Sequence, residues 1–298
     1  MQGISCGIYE ELWSWSRSKY ITPDPRAHSE SRAVYGLFTS FLHLATFDCI
    51  HCAIQLSSPP LADPNEASLF DPSLPSLARY LKSCLIVIGT GFIVYHGLQA
   101  WYQQATVIAV VVFQQEPAQW PPLFDEPWKA ESLADFWGRR WHQILRQGFI
   151  AVGSQPLRKL LGRVGGVMGA FLVSALLHDW VAWGMGRGGE FWSVGGFFLM
   201  NGVGVVVEEL WARITGRRVQ GWRGWIWTMV WLIGWGNLLV DAWARRGLMA
   251  SMFLPDGWRP SQTLLAKLLR RPGKRLAQSV CLTLNLSASR KVNFSGRD

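Results

Sequence analysis

Charged side chains are scarce in this 298-residue chain: Asp, Glu, Lys and Arg together make up 16% of it. Soluble domains carry roughly 25%, so the composition argues against an ordinary soluble fold. Acidic residues are the scarcer kind, 20 against 29 Lys and Arg, which leaves a net charge of +9. Cysteine is sparse and odd in number, and Cys6, Cys49, Cys52, Cys84 and Cys281 offer no disulfide framework. Cys49 and Cys52 form a lone CxxC in an apolar stretch. They read as small buried hydrophobes rather than as zinc or redox groups. No G-x-S-x-G elbow, P-loop or dinucleotide fingerprint occurs, which sets aside the familiar soluble hydrolases and nucleotide-binding enzymes. The basic residues come with no recognisable nucleic-acid-binding module, so no nucleic acid partner is expected. The first 32 residues lack the apolar core and cleavage site of a signal peptide. The first apolar span is therefore expected to direct insertion itself.

What the chain has is apolar surface, 49% of its residues, and tryptophan, 18 in all. Indole suits the membrane–water interface, being apolar with a single donor. Apolar runs over 34–56, 81–113, 164–185, 191–210 and 224–244 approach or exceed the ~20 residues a helix needs to cross a bilayer. The run over 81–113 is long enough to tilt, or to bend near Gln99–Gln104. Glycine and other small residues in the third and fourth runs suit close helix packing in lipid. The fold class expected is all-α: a polytopic transmembrane helix bundle of about five spans plus a cytosolic amphipathic helix. Its parts are an N-terminal cytosolic segment over 1–33, N-terminal spans over 34–113, a core over 114–250 and a basic tail over 251–298. The loop at 57–80 is acidic and Pro-rich with few basic residues, whereas 1–33, 114–163 and 211–223 are rich in Arg or Lys. That alternation puts the basic segments in the cytosol. The tail does not fit, because a single crossing at 224–244 would leave it on the lumenal side.

Two segments could carry chemistry. His178 stands near the end of a glycine-rich apolar run, and a titratable group inside a span usually faces a cavity or partner. Imidazole can take a proton from a hydroxyl; the plainer alternative is an interfacial His bonded to a nearby backbone carbonyl. Ser174 is one turn before it, while Asp179 points roughly 100° away. The second segment is Phe136-Trp137-Gly138-Arg139-Arg140-Trp141-His142-Gln143, with Arg146 beyond. On a helix, Arg139, His142 and Arg146 would form one stripe and Trp137 and Trp141 another. Such a helix would anchor to lipid headgroups or meet a phosphate-bearing cofactor. Ser132 and Asp135 have the spacing of a capping box at its start. His43, Asp48 and His51 read as a polar seam between helices, His96 as a satisfied polar residue, and Glu208 and Glu209 as partners of Arg213.

The octapeptide, the Pro122-Leu123-Phe124 and Ser132-Leu133 ahead of it, and Ser174-Ala175-Leu176-Leu177-His178-Asp179 downstream resemble the wax synthase-like branch of the membrane-bound O-acyltransferase superfamily. The likeness covers roughly 114–250 and is nearest in flavour to fungal acetyltransferases that decorate terpenoids and meroterpenoids. It implies a multi-pass protein of the endoplasmic reticulum membrane that transfers an acyl group from acyl-CoA, here acetyl-CoA, to a lipophilic alcohol. It implies His178 as catalytic base, His142 as the second catalytic position, and no metal. Charge adds Arg139, Arg140, Trp141 and Arg146 as contacts of the coenzyme. A wax ester synthase acting on fatty alcohols and a non-catalytic acyltransferase-like protein are the alternatives. A small transporter would need paired broken helices, which the sequence does not show.

Overall fold

The computed structural model describes residues 29–63, 67–116, 119–251, 253–255 and 258–261. Most of the N-terminal segment and of the basic tail, with Cys6 and Cys281, lies outside the described residues. Among the described residues the protein is helical and has no strand. Five long helices carry it: α1 (Ser29–Ser57), α2 (Ser76–Val111), α3 (Gln155–Gly184), α4 (Phe191–Thr215) and α5 (Gly221–Arg245). Four helical segments are long and apolar enough to cross a membrane: Tyr35–Ser57, Ser76–Val111, Arg146–Gly184 and Phe191–Thr215. The shortest, at 23 residues, spans ~34 Å by helical rise. Large apolar side chains such as Phe38, Leu85, Trp101 and Leu161 point outward, as they must where lipid is the solvent. α5 has the length of the expected fifth span, but it carries six Trp residues and is not among these four. α2 runs as one helix through Gln99–Gln104.

Two expectations are corrected. The polar centre was expected to extend to 163, yet helix already runs from Gln155, after a short turn at Arg146–Phe149 and a π-helical turn at Ile150–Ser154. Pro156 fits the first turn, where its missing N–H costs nothing. Arg158, Lys159 and Arg163 mask this stretch in a reading based on hydropathy. Gly162 (φ 65°, ψ −151°) kinks it, in a conformation that glycine alone adopts freely.

The amphipathic helix expected from Ser132 to about Gln147 does not form. The chain makes one α-turn at Leu133–Asp135 and a π-helical turn at Phe136–Arg140, then turns extended at Trp141 (φ −79°, ψ 156°). Arg139, His142 and Arg146 therefore share no helical stripe. Tertiary bonds compete with helix here. The Asp125 N–H donates to the Arg140 carbonyl at 3.0 Å, and Arg140 Nη1 donates to the Asp125 carbonyl at 3.1 Å. Half of the capping box survives, since Ser132 Oγ accepts from the Asp135 N–H at 2.9 Å.

The described residues group into two units, and the chain passes between them after His43, His96 and Leu239. In the unit that takes 44–96 and the residues from 240 on, the polar side chains of α1 bind the segment after α5. Asp48 is buried with Arg259 at 2.8 Å and accepts the Ser261 N–H at 2.8 Å. His51 Nε2 donates to the Met249 carbonyl at 2.9 Å. The polar seam thus holds packing together, and Cys52 beside it is buried. His96 packs among Phe92 and Tyr95. The other unit holds α3, α4, most of α5 and the octapeptide.

Candidate active site

α3 and α4 run antiparallel: Arg163 meets Glu209 at 3.3 Å, and farther along His178 meets Phe198. The 133–137 segment lies along α4 and runs opposite to it, in the direction of α3. Glu208 Oε1 and Oε2 accept the N–H groups of Leu133 (2.7 Å) and Ala134 (3.0 Å), and Oε1 also accepts the Trp227 indole at 2.9 Å. About two turns farther along α4, the Trp137 indole donates to Asn201 Oδ1 at 3.1 Å. Asn201 is fully buried and is itself fixed by a bond to the Phe197 carbonyl. From Glu209 to Phe198 the distance along α4 is ~16 Å by helical rise. Small residues permit this closeness. A Cβ on Gly153 would stand 2.2 Å from the Gly169 carbonyl oxygen, and one on Gly169 2.3 Å from that of Gly153.

These elements enclose a cavity of about 1040 Å³, lined by Arg163, Ala170, Phe171, Ser174 and His178 of α3 and by Val205 and Glu208 of α4. Its remaining wall comes mainly from residues 121–154, the octapeptide among them, and from 218–220. Arg139, Arg140, Trp141, His142 and Arg146 all line this cavity together with His178. The structure thus brings every residue singled out for chemistry around one space, although not by the helical stripe the sequence suggested.

His178 donates Nδ1–H to the Ser174 carbonyl at 2.7 Å and stacks on Phe198 at 4.1 Å between centroids. The carbonyl can only accept, so the neutral ring carries its proton on Nδ1 and keeps the Nε2 lone pair for other work. The carbonyl bond foreseen as the plainer alternative is therefore compatible with a base. Burial, and after it the nearby His178, push His142 down to about 4. His142 is neutral at physiological pH, and its buried Nδ1 has no hydrogen-bond partner among the described residues. Trp141 packs against Phe124, Phe136 and Trp137. Asp135 sits between the two adjacent guanidiniums, 2.7 Å from Arg139 Nη2 and 2.6 Å from Arg140 Nε. Asp125 adds a second carboxylate 4.0 Å from Arg139 Nε, so two carboxylates hold the two guanidiniums in place.

The expectation for the acidic pair on α4 divides. Glu209 pairs with Arg213 at 2.5 Å, but Glu208 turns inward and holds the octapeptide segment by its backbone. Asp179 accepts the Glu190 N–H at 2.7 Å and so shapes the turn before α4 rather than His178. Asn201 and Phe198 were not singled out from the sequence, and Asp135 only as a capping residue. A buried Asn in an apolar helix was the available signal for the first; nothing in the local pattern marked the stacking of Phe198.

Residues 120–200 match the model of the membrane bound O-acyl transferase family. A long-chain-alcohol O-fatty-acyltransferase of Simmondsia chinensis is 35% identical over 107 residues, 33% of this chain and 30% of that protein. The acetyltransferase spyB of Aspergillus fumigatus is 30% identical over 171 residues, covering 48% and 28%. The acetyltransferase eriL of Hericium erinaceus is 24% identical over 264 residues, covering 80% and 64%. The chain thus spans less than a third of the length of the first two relatives.

Proposed function

We propose that this chain, a member of the membrane bound O-acyl transferase family through residues 120–200, transfers an acyl group from acyl-CoA to the hydroxyl of a lipophilic alcohol. The observation that carries the reading is His178: its Nδ1–H is committed to the Ser174 carbonyl, and it faces a cavity shared with His142 and the guanidiniums. Nε2 takes the hydroxyl proton as the alcohol oxygen attacks the thioester carbon. The C–S bond then breaks, and the departing thiolate recovers the proton from the imidazolium, giving ester and CoA. General base catalysis contributes about 10² to 10⁴-fold, and holding both substrates in one dry cavity about 7–11 kcal/mol. Neutral His142 donates a hydrogen bond to the thioester oxygen as it gains charge. Arg139, Arg140 and Arg146, with Trp141 beside them, receive the coenzyme phosphates. The names of spyB and eriL support acetyl-CoA as the donor; a terpenoid alcohol as acceptor and the endoplasmic reticulum as the membrane rest on the family resemblance of the octapeptide and the Leu177-His178 segment.

The test is acyl transfer by the purified full chain in detergent or nanodiscs. It uses labelled acetyl-CoA and a panel of lipophilic alcohols, read by mass spectrometry. His178→Ala is expected to lose at least 10²-fold in kcat while remaining folded. Equal turnover by that variant sinks the assignment of the base. Acyl-CoA binding without turnover by the unaltered chain makes it a non-catalytic member instead.

A further inference from the structure

The cavity changes character along α4, and one side chain stands at the change. Toward Glu209 it is ionic, with Arg163, Glu208, Glu209 and Arg218 in its wall. Farther along, Trp137, Trp141, Phe149 and Phe171 line it together with His178, which stacks on Phe198. Trp137 lies between. Its ring is T-shaped to Phe171 (5.8 Å) and Phe197 (6.2 Å) and tilted to Phe198 (6.1 Å), the phenyl on which His178 stacks. Its indole N–H is held by the fully buried Asn201. An indole fixed by a hydrogen bond at one edge and by three phenyls around it cannot swing aside as a free rotamer would. It belongs to the same π-helical turn as Arg139 and Arg140. A donor whose phosphates lie at those guanidiniums must therefore carry its thioester past Trp137 to reach His178.

We infer that Trp137 is the residue that sets acyl length, blocking the apolar space beside His178 so that only a short acyl group, acetyl or little more, is accommodated. Asn201 is a positioning residue for it. The inference rests on the acyl-transfer reading above. A long acyl chain needs a continuous apolar channel from the thioester onward, and the rigid indole occupies the wall where such a channel would begin. Replacing it by a small side chain leaves Phe171 and Phe198 in place and opens room for further methylenes. Each methylene accepted or refused by an apolar pocket discriminates by about 10-fold or more.

The experiment compares transfer from acetyl-, butyryl-, octanoyl- and palmitoyl-CoA to one alcohol by the full chain, by Trp137→Ala and by Trp137→Leu. The unaltered protein is expected to favour acetyl. The variants are expected to raise the ratio of octanoyl to acetyl kcat/KM by at least about tenfold, with Asn201→Ala moving it the same way by less. A ratio unchanged in variants that still transfer acetyl overturns the inference, as does an unaltered protein that uses octanoyl-CoA as well as acetyl-CoA. Should the variants be inactive, binding of unreactive thioether analogues of acetyl- and octanoyl-CoA decides. An octanoyl analogue that binds the unaltered chain no more weakly than the acetyl one overturns the inference, and selective gain of octanoyl affinity in Trp137→Leu supports it. Absence of transfer from every donor by the unaltered chain refutes the acyl-transfer reading separately, and the analogue comparison then still decides whether Trp137 sets acyl length.

Discussion

Glu208→Gln isolates what holds the octapeptide wall in place. The carboxylate accepts three N–H groups: Oε1 takes those of Leu133 and the Trp227 indole, and Oε2 takes that of Ala134. A glutamine can offer one carbonyl oxygen where Oε1 stood. Its amide nitrogen then faces the Ala134 N–H, donor against donor. A hydrogen bond to a charged group contributes about 1.5–3 kcal/mol, and a buried N–H left without a partner costs about 1–3 kcal/mol. The substitution should therefore cost about 2–4 kcal/mol, a drop in Tm of roughly 5–10 °C by differential scanning fluorimetry in detergent. Glu208→Ala removes both acceptor oxygens, leaves all three N–H groups unpaired and should cost about 5 kcal/mol or more. Since the 133–141 segment carries Trp137, Arg139 and Arg140, Glu208→Gln should also lower kcat by roughly 10²-fold, the scale of a misplacement of about 1 Å. Unchanged Tm and turnover in Glu208→Gln would refute the idea that this carboxylate sets the wall.

Other outcomes follow from packing and charge. Gly169→Ala drives a Cβ into the Gly153 carbonyl, which as backbone cannot give way, and should destabilise by about 1–3 kcal/mol in the same melting assay. In the second unit, Arg259→Ala strands the buried Asp48 carboxylate and should cost about 3–5 kcal/mol. Asp48→Asn with Arg259→Leu should recover most of that, because the amide oxygen still accepts the Ser261 N–H. His142 is held near 4 in the folded chain against an ordinary value of about 6.5, so the unfolded chain binds the proton more tightly. Its contribution is complete above pH 6.5 and is lost as pH falls toward 4, by at most about 3 kcal/mol. Tm measured against pH should show that slope, and His142→Asn should flatten it.

The helices were legible because long apolar runs in a low-charge chain have few other solutions. The segment from Ser132 to Gln147 was legible as a site but not as a shape. Its residues have helical spacing, yet Asp125, fewer than twenty residues upstream, takes the Arg140 carbonyl, and Asp135 draws in both Arg139 and Arg140. The Asp125 main chain, bonded to Arg140 through both its N–H and its carbonyl, outvotes the local pattern. Glu208 was misjudged for a related reason: Arg213 is near in sequence, while its true partners are backbone N–H groups more than seventy residues away. The early start of α3 was hidden by its basic side chains. His178 was conspicuous as the lone imidazole of its run, but the direction of its lone pair depends on a main-chain bond that no residue type announces.

That bond has a wider meaning. In many hydrolytic sites a separate acidic residue, brought from elsewhere in the fold, steers the imidazole; here the steering atom is a peptide oxygen one turn back on the same helix. In the proposed mechanism base and compass travel together on a single rod, so drift in the loops around them leaves the aim untouched. The lining could then change to suit other acceptors without altering how the histidine points.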